Sequence, residues 1–301
     1  MTEFVDFQTV VSAAAAELSA LIARPLAPGL YLVATPIGNL GDVSLRALSV
    51  LARADVLYCE DTRHSRRLLD RYGIKRRLSA LHEHNEIDEL EPILGELAQG
   101  KTVAVISDAG TPLVSDPGFK LTRAVLDRNH RVFAIPGASA ILSALTSSGL
   151  PSDCFTFGGF LPTKAAARLE RLRDFTHVTG TLLFFEAPGR VAATLSAMSG
   201  FFGGGCPAAV ARELTKQYEE MRRGTLAELE IWAAGGALRG EVVILVAPVR
   251  DGDGVISDME ITKALEAETW PSLRSRVDAV AARLRAPRKR VYDLALRSRK
   301  E

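Results

Sequence analysis

Short apolar runs alternate with amphipathic segments along the first part of the chain. The apolar runs predict five strands, at LYLVAT (30–35), VLYCE (56–60), RLSAL (77–81), TVAVIS (102–107) and RVFAIPG (131–137). The segments between them predict helices, and Ser44 is placed to cap the first of these. Strands that alternate with helices predict a mostly parallel sheet, with binding sites beyond the carboxyl ends of its strands.

The pattern changes after Pro136-Gly137. A small-residue helix ends at Gly149, and later apolar runs predict strands at CFTFGGFLP, TLLFFEA, AAVARELT and GEVVILVA (240–247). Helices are predicted over 165–174 and 190–199. We therefore expect an α/β protein with two α/β domains, over 30–137 and 138–249.

Both ends of the chain are predicted to lie outside these domains. Residues 8–23 are rich in Ala and predict a helix within an N-terminal extension, 1–29. The final segment, 250–301, is predicted to be a linker, DGDG, followed by a helical tail. From Ser272 onward this tail holds 10 Lys and Arg residues against 3 Asp and Glu residues, so it is locally basic.

Composition limits the class of protein. The 301 residues are 47% hydrophobic and carry a formal net charge of +1, so the whole chain is not a basic nucleic-acid binder. Any RNA contact has to use a local patch. Cys59, Cys154 and Cys206 lie far apart, which argues against a disulfide framework or a zinc site. No basic signal segment or long apolar run is present, and a cytoplasmic protein is expected.

Two glycine-containing loops follow predicted strands. PIGNLGD (36–42) has only G-x-x-G, so a phosphate-binding loop and a tight turn remain equally open. VISDAGTPLVSDPG (105–118) is more demanding, because Gly110 and Gly118 permit positive φ while two prolines stiffen the loop. Two successive turns explain it, but a small rigid loop after a buried strand favours a binding site.

Three polar segments are candidates for chemistry or RNA contact. EDTRHSRR (60–67) is either a capped helix start or a cleft wall whose basic rim, including His64 and Arg66, binds phosphates. HEHNE (82–86) lacks a third ligand at metal-site spacing, so no metal is expected. PTKAAARLERLR (162–173) offers Lys164 and Arg168 to an anionic polymer, or is simply a solvated helix face. The tail adds Arg288, Lys289 and Arg290 as RNA-binding candidates.

Nine motifs together carry a resemblance. In chain order they are ATPIGNLGD, CEDTRHSRRLL, LHEHNE, VISDAGTPLVSDPG, IPGASA, LPSDCFTFGGFLP, FFEAPGR, ARELTK and RGEVVILV. They closely resemble the tetrapyrrole methylase superfamily and, within it, the bacterial small-subunit ribosomal RNA methyltransferase I group. The resemblance covers about residues 30–248 and leaves both ends of the chain outside.

The resemblance implies two α/β domains of the tetrapyrrole methylase type, with the cofactor in the cleft between them, and a homodimer. It implies transfer of a methyl group from S-adenosylmethionine to the ribose 2′-oxygen of a cytidine in the decoding region of 16S rRNA, with a partly assembled small ribosomal subunit as substrate. Residues carried over to the cofactor site are Pro36, Ser107, Asp108, Ala109, Val114, Ser139, Ala140, Phe185 and Glu186.

The implied reaction suggests candidates for catalysis. A 2′-hydroxyl is a weak acid, so a general base contributes to its methylation. Glu60 and Asp61 follow the second predicted strand and are our candidates, with Arg63 to hold a phosphate or to stabilise developing charge. Glu186 and His84 are the second choice as candidate bases.

Two departures from the family pattern limit how far residue roles of the family apply to this sequence. FFEAPGR has Gly189 where relatives often carry a histidine, so no catalytic role is given to that position. The loop 163–173 is less basic than in some relatives.

Two other functions stay open from the sequence. One is a small-molecule methyltransferase that acts on a tetrapyrrole carbon, against which the EDTRHSRR and HEHNE segments and the basic tail argue. The other is a nucleotide- or RNA-binding protein without catalysis. Ser/His/Asp and G-x-S-x-G arrangements are absent from the sequence, so covalent hydrolysis is not expected.

Overall fold

The computed structural model describes residues 6–176, 178–248, 258–267, 272–284 and 288–297. The chain divides into two compact units, the first of Met1–Ser143 with Thr215–Gln217 and the second of Ala144–Leu214 with Tyr218–Glu301. The division falls inside the helix Ala140–Ser148, whereas the change in residue pattern placed it after Gly137.

The first unit is built on a five-stranded parallel sheet. Its strands are β1 (Gly29–Val33), β2 (Val56–Cys59), β3 (Leu78–Ala80), β4 (Thr102–Ile106) and β5 (Val132–Ile135). They lie in the order β3-β2-β4-β1-β5, and every neighbouring pair is parallel. The predicted strands and their parallel arrangement are thus confirmed.

Helices precede and connect these strands. They are α1 (Phe7–Ala23), α2 (Leu45–Arg53), α3 (Thr62–Arg71), α4 (Glu86–Ala98) and α5 (Phe119–Asp127), while α6 (Ala140–Ser148) leads into the second unit. Two predicted caps are present: Ser44 Oγ accepts from the N–H of Ala47 at 3.1 Å, and Asp61 Oδ1 from that of Arg63 at 2.8 Å. Each cap satisfies a backbone donor that the first helical turn leaves unpaired.

The sheet of the first unit buries both of its faces. Leu57 and Ile106 pack on one face with Leu69 of α3, whereas Val103 packs on the other face with Ile93 of α4. Successive strand residues point to opposite faces, so a strand buried on both sides is apolar throughout. This is why continuous apolar runs predicted these strands.

The second unit contains a mixed sheet. Its strands are β6 (Phe155–Phe160), β7 (Thr181–Glu186), β8 (Pro207–Arg212), β9 (Glu220–Thr225) and β10 (Val242–Val246), in the order β6-β7-β10-β8-β9. Only the β6–β7 pair is parallel. Helices α7 (Ala165–Arg173), α8 (Val191–Phe202) and α9 (Leu226–Ala234) belong to the same unit, and its main core includes Phe184, Leu195, Val210 and Leu229.

The sequence patterns failed to predict β9 and α9. β9 reads EMRRGT, pairs only with β8, and so forms an edge of the sheet without an alternating apolar pattern. The helix after it starts with a capping box, in which Thr225 accepts from the N–H of Glu228 and the Glu228 carboxylate accepts from that of Thr225.

In the described part of the C-terminal segment, three helices follow the second sheet. They are α10 (Asp258–Glu266), α11 (Leu273–Leu284) and α12 (Arg288–Arg297), and they share a core that includes Ile261, Leu265, Val277, Val280 and Val291. The predicted linker DGDG lies outside the described residues. Among the helices that are described, none is long and apolar enough to cross a membrane.

Candidate functional site

Three loops of the first unit meet at the carboxyl edge of its sheet. Thr35, after β1, exchanges two backbone hydrogen bonds with Gly110, after β4, at 2.8 and 3.1 Å. The Thr35 hydroxyl also donates to the carbonyl of Ser107 at 3.2 Å. The Thr111 hydroxyl donates to the carbonyl of Ala138, after β5, at 3.4 Å. These bonds tie the three strand ends into one structure.

The loop after β4 has an unusual backbone. Leu113 and Ser115 have φ of 73° and 66°, and Gly110 and Gly118 have φ of 80° and 118°. A left-handed conformation is uncommon for residues with a side chain, and such strain is concentrated at functional sites. The loop therefore has the rigid, non-standard form that its two glycines and two prolines predicted.

The loop after β5 lies very close to β1. A Cβ atom placed on Gly137 would be 2.9 Å from the Cβ of Ala34, so only glycine permits this approach. The next helix starts directly afterwards, and the hydroxyl of Ser139 accepts from the N–H of Leu142 at 3.4 Å. Small residues thus bring backbone from a third strand end to the same edge.

Seven of the residues expected to hold the cofactor lie on these three loops or at their ends. Pro36 and Ser107 are buried, while Asp108, Ala109, Val114, Ser139 and Ala140 are half-buried. The fold therefore brings together Pro36, the 107–114 loop and the 139–140 pair. Their role in binding stays a prediction.

Four carboxylates lie on the loops after β2 and β4: Glu60, Asp61, Asp108 and Asp116. The backbone N–H of Asp61 donates to Asp108 Oδ1 at 3.0 Å, which joins the two loops. A hydrogen bond from the backbone N–H of Asp108 favours the ionised form of Glu60. The Ser107 hydroxyl does the same for Asp116. The cluster thus contains both predicted bases, Glu60 and Asp61.

Burial and mutual repulsion separate the pKa values of these acids. Desolvation, and then the charge of Asp108, raise the pKa of Glu60. Desolvation raises the pKa of Asp116 to about 6, with Glu60 and Asp108 adding repulsion. In contrast, hydrogen bonds from Arg63 lower the pKa of Asp61 to about 2. Of the two predicted bases, Glu60 thus has the higher proton affinity.

Asp116 is a residue of the cluster that sequence reasoning missed. Its half-buried carboxyl lies close enough to Glu60 and Asp108 for both charges to raise its pKa. The repeated pair SDAG and SDPG was the available signal, because each Asp occupies a similar place beside a glycine. His82 also lies near Glu60 and lowers its pKa.

Arg63 lies beside these acids at the start of α3. Its side chain is 91% exposed and forms an ion pair with Asp61 at 3.1 Å. His64 is exposed on the same helix, whereas Arg66 is half-buried and donates to the carbonyl of Arg76 at 3.0 Å. Arg63 and His64 are thus the more accessible members of the predicted basic rim.

Phe185 and Glu186 belong to the second unit, on β7. The ring of Phe185 lies 4.7 Å from that of Phe157 and 5.6 Å from that of Phe160. The Glu186 side chain is fully buried, accepts a hydrogen bond from the Thr194 hydroxyl and lies 3.1 Å from Arg190 Nε. The carboxylate of Glu186 is therefore committed to the interior of its own unit, and it is not available as a base.

Arg168, expected to contact RNA, does not fit that role. It is only 7% exposed, and its guanidinium donates to the Thr194 hydroxyl at 3.5 Å. The spacing of cations along α7 indicated a solvent-exposed face that includes Arg168. The Arg168 side chain instead lies on the buried face of the helix. Lys164, at the start of the same helix, is exposed. Lys164 therefore stays a predicted RNA contact, whereas Arg168 is too buried to be one.

Two cations of the basic tail share one carboxylate. Arg288 lies 2.6 Å from Asp278, and Arg274 lies 4.0 Å from the same carboxylate. The side chains of Lys289 and Arg290 lie outside the described residues. Across the described part of the chain, no group of three His, Cys, Asp or Glu is arranged to hold a metal ion.

Comparison with known proteins identifies the family of this chain. The family model described as Tetrapyrrole (Corrin/Porphyrin) Methylases matches residues 29–230. The chain belongs to this family. The match spans both sheets apart from β10, and it includes the three loops and the carboxylate cluster.

Two relatives give a finer comparison. The chain is 57% identical over 227 residues to Ribosomal RNA small subunit methyltransferase I of Mesorhizobium japonicum, covering 75% of this chain and 77% of the relative. It is 45% identical over 271 residues to the protein of the same name from Pseudomonas aeruginosa, covering 89% and 96%. The chain therefore belongs to the ribosomal RNA small subunit methyltransferase I group of the family.

A solved structure shows the same fold. Uroporphyrin-III C-methyltransferase from Thermus thermophilus, in complex with S-adenyl homocysteine, has a TM-score of 0.51 and 19% identity, covering 72% of this chain and 96% of that protein. At this identity the comparison supports the fold alone.

Proposed function

We propose that the chain is a methyltransferase that uses S-adenosylmethionine to methylate the ribose 2′-oxygen of a cytidine in 16S rRNA. The observation that carries the proposal is the meeting of three small-residue loops beside Glu60, in a chain of the rRNA methyltransferase I group. The substrate is proposed to be the small ribosomal subunit, in the cytoplasm, and the enzyme a homodimer.

The residues of the three loops fit the proposed cofactor. S-adenosylmethionine offers an adenine, ribose hydroxyls and an amino acid group, but no phosphate. Small residues at 109, 110, 138 and 139 let such a ligand approach the backbone of these loops closely. The half-buried carboxylate of Asp108 suits a hydroxyl or an amino group. The absence of a phosphate-binding motif agrees with this ligand.

When bound, the cofactor supplies a methyl group that is already activated as a sulfonium. The work left to the chain is to hold the acceptor ribose and to accept its 2′-hydroxyl proton. Glu60 is the proposed acceptor of that proton, because its carboxyl has a raised pKa and lies at a strand end. Arg63, mostly exposed beside it, is proposed to hold a neighbouring phosphate. Orienting the two reactants supplies much of the remaining acceleration.

Methyl transfer by the purified protein tests the proposal. Labelled S-adenosylmethionine is incubated with small ribosomal subunits, with their naked rRNA, and with a porphyrinogen. We expect label in the rRNA as one ribose methyl group, and none in the porphyrinogen. Label in the porphyrinogen alone would assign the chain to the small-molecule branch of the family. Cofactor binding without transfer to any of the three would contradict the proposal.

A further inference from the structure

Positive charge is concentrated in one segment of the first unit. Residues 62–77 hold seven Lys and Arg side chains and a single carboxylate, Asp70, although the whole chain carries a net charge of only +1. Five of these cations are exposed, and Arg63 is one of them. The other four define what we call the basic stripe: Arg67 and Arg71 of α3, and Lys75 and Arg77 after it. Nothing in the proposed function uses them.

The stripe begins beside the candidate base. α3 starts directly after Glu60 and Asp61, and it buries Ser65, Leu68 and Leu69 against the sheet. Its 10 residues extend about 15 Å away from that point. Arg67 and Arg71 are four positions apart and so lie one turn above the other on its exposed side. The stripe thus leads from the carboxylate cluster along the surface.

No carboxylate within the described residues lies at ion-pair distance from any member of the stripe. Arg63, by contrast, is paired with Asp61. Like charges at i and i+4, here Arg67 and Arg71, disfavour a helix. Arg67 and Arg71 carry this electrostatic cost without an ion pair among the described residues, which points to an anion outside the protein.

A small cavity adjoins the far end of the stripe. Its volume is about 330 Å³, and its lining includes Leu18 and Ile22 of α1, Tyr72 and Ile74 after α3, and the cations Lys75 and Arg76. The Tyr72 hydroxyl donates to the carbonyl of Leu40 at 2.9 Å, which fixes a ring that is 38% exposed. An apolar recess with a fixed aromatic ring and a cationic rim suits an unstacked nucleobase.

We infer that the basic stripe binds the phosphodiester backbone of single-stranded rRNA next to the target nucleotide, and that a base of the same strand stacks on Tyr72. This inference rests on the proposed function and adds the path that the rRNA strand takes along the surface. Arginine predominates in the stripe, and its planar donor fork matches phosphate oxygens. Regular cation spacing followed by an aromatic recess fits a nucleic-acid strand better than it fits a flat anionic membrane.

Two pairs of variants test the phosphate contacts. Arg67→Ala with Arg71→Ala, and Lys75→Ala with Arg77→Ala, are compared with Lys120→Ala and Arg123→Ala on α5, which remove two exposed cations elsewhere in the unit. Binding of small-subunit rRNA is measured at several salt concentrations. We expect each stripe pair to weaken binding at least tenfold and to reduce the salt slope by about 1.4, at roughly 0.7 per lost contact. The control pair should change affinity less than twofold.

Tyr72→Leu and Tyr72→Phe test the stacked base. The leucine variant should bind rRNA about five- to a hundredfold more weakly with an unchanged salt slope, because stacking is lost and no charge is removed. The phenylalanine variant keeps the ring and should bind within about threefold of wild type. Equal affinities of both variants and wild type would refute the stacked base.

Binding of S-adenosylmethionine is measured by calorimetry for every variant and should be unchanged, which shows that the fold is intact. If wild type methylates rRNA while the stripe variants keep the affinity and salt slope of wild type, the inferred role of the stripe is wrong and the proposed function stands. Selective loss of binding to anionic vesicles instead of rRNA would also overturn the inference. If wild type neither binds nor methylates rRNA, the proposed function itself fails.

Discussion

Glu60 and Asp61 are neighbours in the chain, but their carboxyls lie in different environments. Glu60 is half-buried near Asp108, and its pKa is raised by desolvation and repulsion. Asp61 caps α3 and is tied to Arg63, which lowers its pKa to about 2. A base must bind a proton with useful affinity, whereas a cap must stay ionised. Asp61 thus has a structural role as a cap, and Glu60 is the better candidate for the proton acceptor.

This division predicts different effects of two isosteric changes. Glu60→Gln should lower kcat by about 10²–10⁴-fold, because the proton acceptor is lost. Asp61→Asn should retain most of the activity, since Asn also caps a helix. Single-turnover methylation rates measure both, with cofactor affinity as the control for folding. The reverse order of effects would assign the base to Asp61.

Wild-type activity should also depend on pH in one direction. With Glu60 as the proposed base, its ionised form is the active one, so we expect the rate to rise as the pH passes upward through the raised pKa of this carboxyl. Asp61→Asn should leave this profile in place. An activity that falls with increasing pH over the same range would speak against a carboxylate base.

Asp116 predicts a pH dependence of stability. Its pKa is raised from 3.8 to about 6 mainly by burial, so the folded state holds its proton more tightly than the unfolded state. Its contribution to the unfolding free energy therefore falls as pH rises from about 4 to 6. Asp116→Asn should gain of order 1 kcal/mol relative to wild type between pH 4 and pH 7, after allowance for solvent screening. Equal differences in urea unfolding at both values would contradict this.

The sequence revealed individual site residues only where a local pattern fixes them. Residues 107–109 follow a buried strand and begin a loop of small residues. The sequence therefore predicted their position at the end of that strand. Glu186 and Arg168 were also singled out, but both side chains turn into the second unit. Their direction depends on Thr194, which is distant from Arg168 in sequence, and no local pattern encodes that contact.

At the scale of elements, buried strands were predictable and the polar edge strand was not. β4 is buried at every position, and its apolar run marked it clearly. β9 holds two arginines and a glutamate, and it is a strand because β8 provides its hydrogen bonds. Backbone pairing of this kind has no signature in the sequence of the strand itself.

One glycine of β6 gives a test of packing in the second sheet. A Cβ atom on Gly158 would lie 2.3 Å from Phe184 Cε1 and 2.8 Å from Phe175 Cζ, both in the core. Gly158→Ala should therefore lower the unfolding free energy by about 1–3 kcal/mol. Gly189→Ala is the matched control, because nothing lies within 4 Å of its Cβ position. Similar urea midpoints for the two variants would show that β6 packs differently.

At the scale of the whole molecule, the distribution of charge matters more than its sum. A net charge of +1 hides the cationic segment 62–77 and the basic C-terminal segment. Within the latter, Arg288 and Arg274 share Asp278, so they are partly neutralised. We therefore expect Arg288→Ala to weaken rRNA binding less than twofold, in contrast to the stripe variants. A larger loss in filter binding would make the C-terminal helices a main RNA contact.

We propose that this chain places a methyl group on a ribose of 16S rRNA, with Glu60 accepting the proton. The decisive experiment is mass mapping of 16S rRNA from a strain lacking the protein, with complementation by wild type and by Glu60→Gln. We expect one 2′-O-methyl group on a cytidine to disappear, to return with wild type, and to return weakly or not at all with the variant. An unchanged set of ribose methyl groups in the strain lacking the protein would show that the chain does not carry out this reaction.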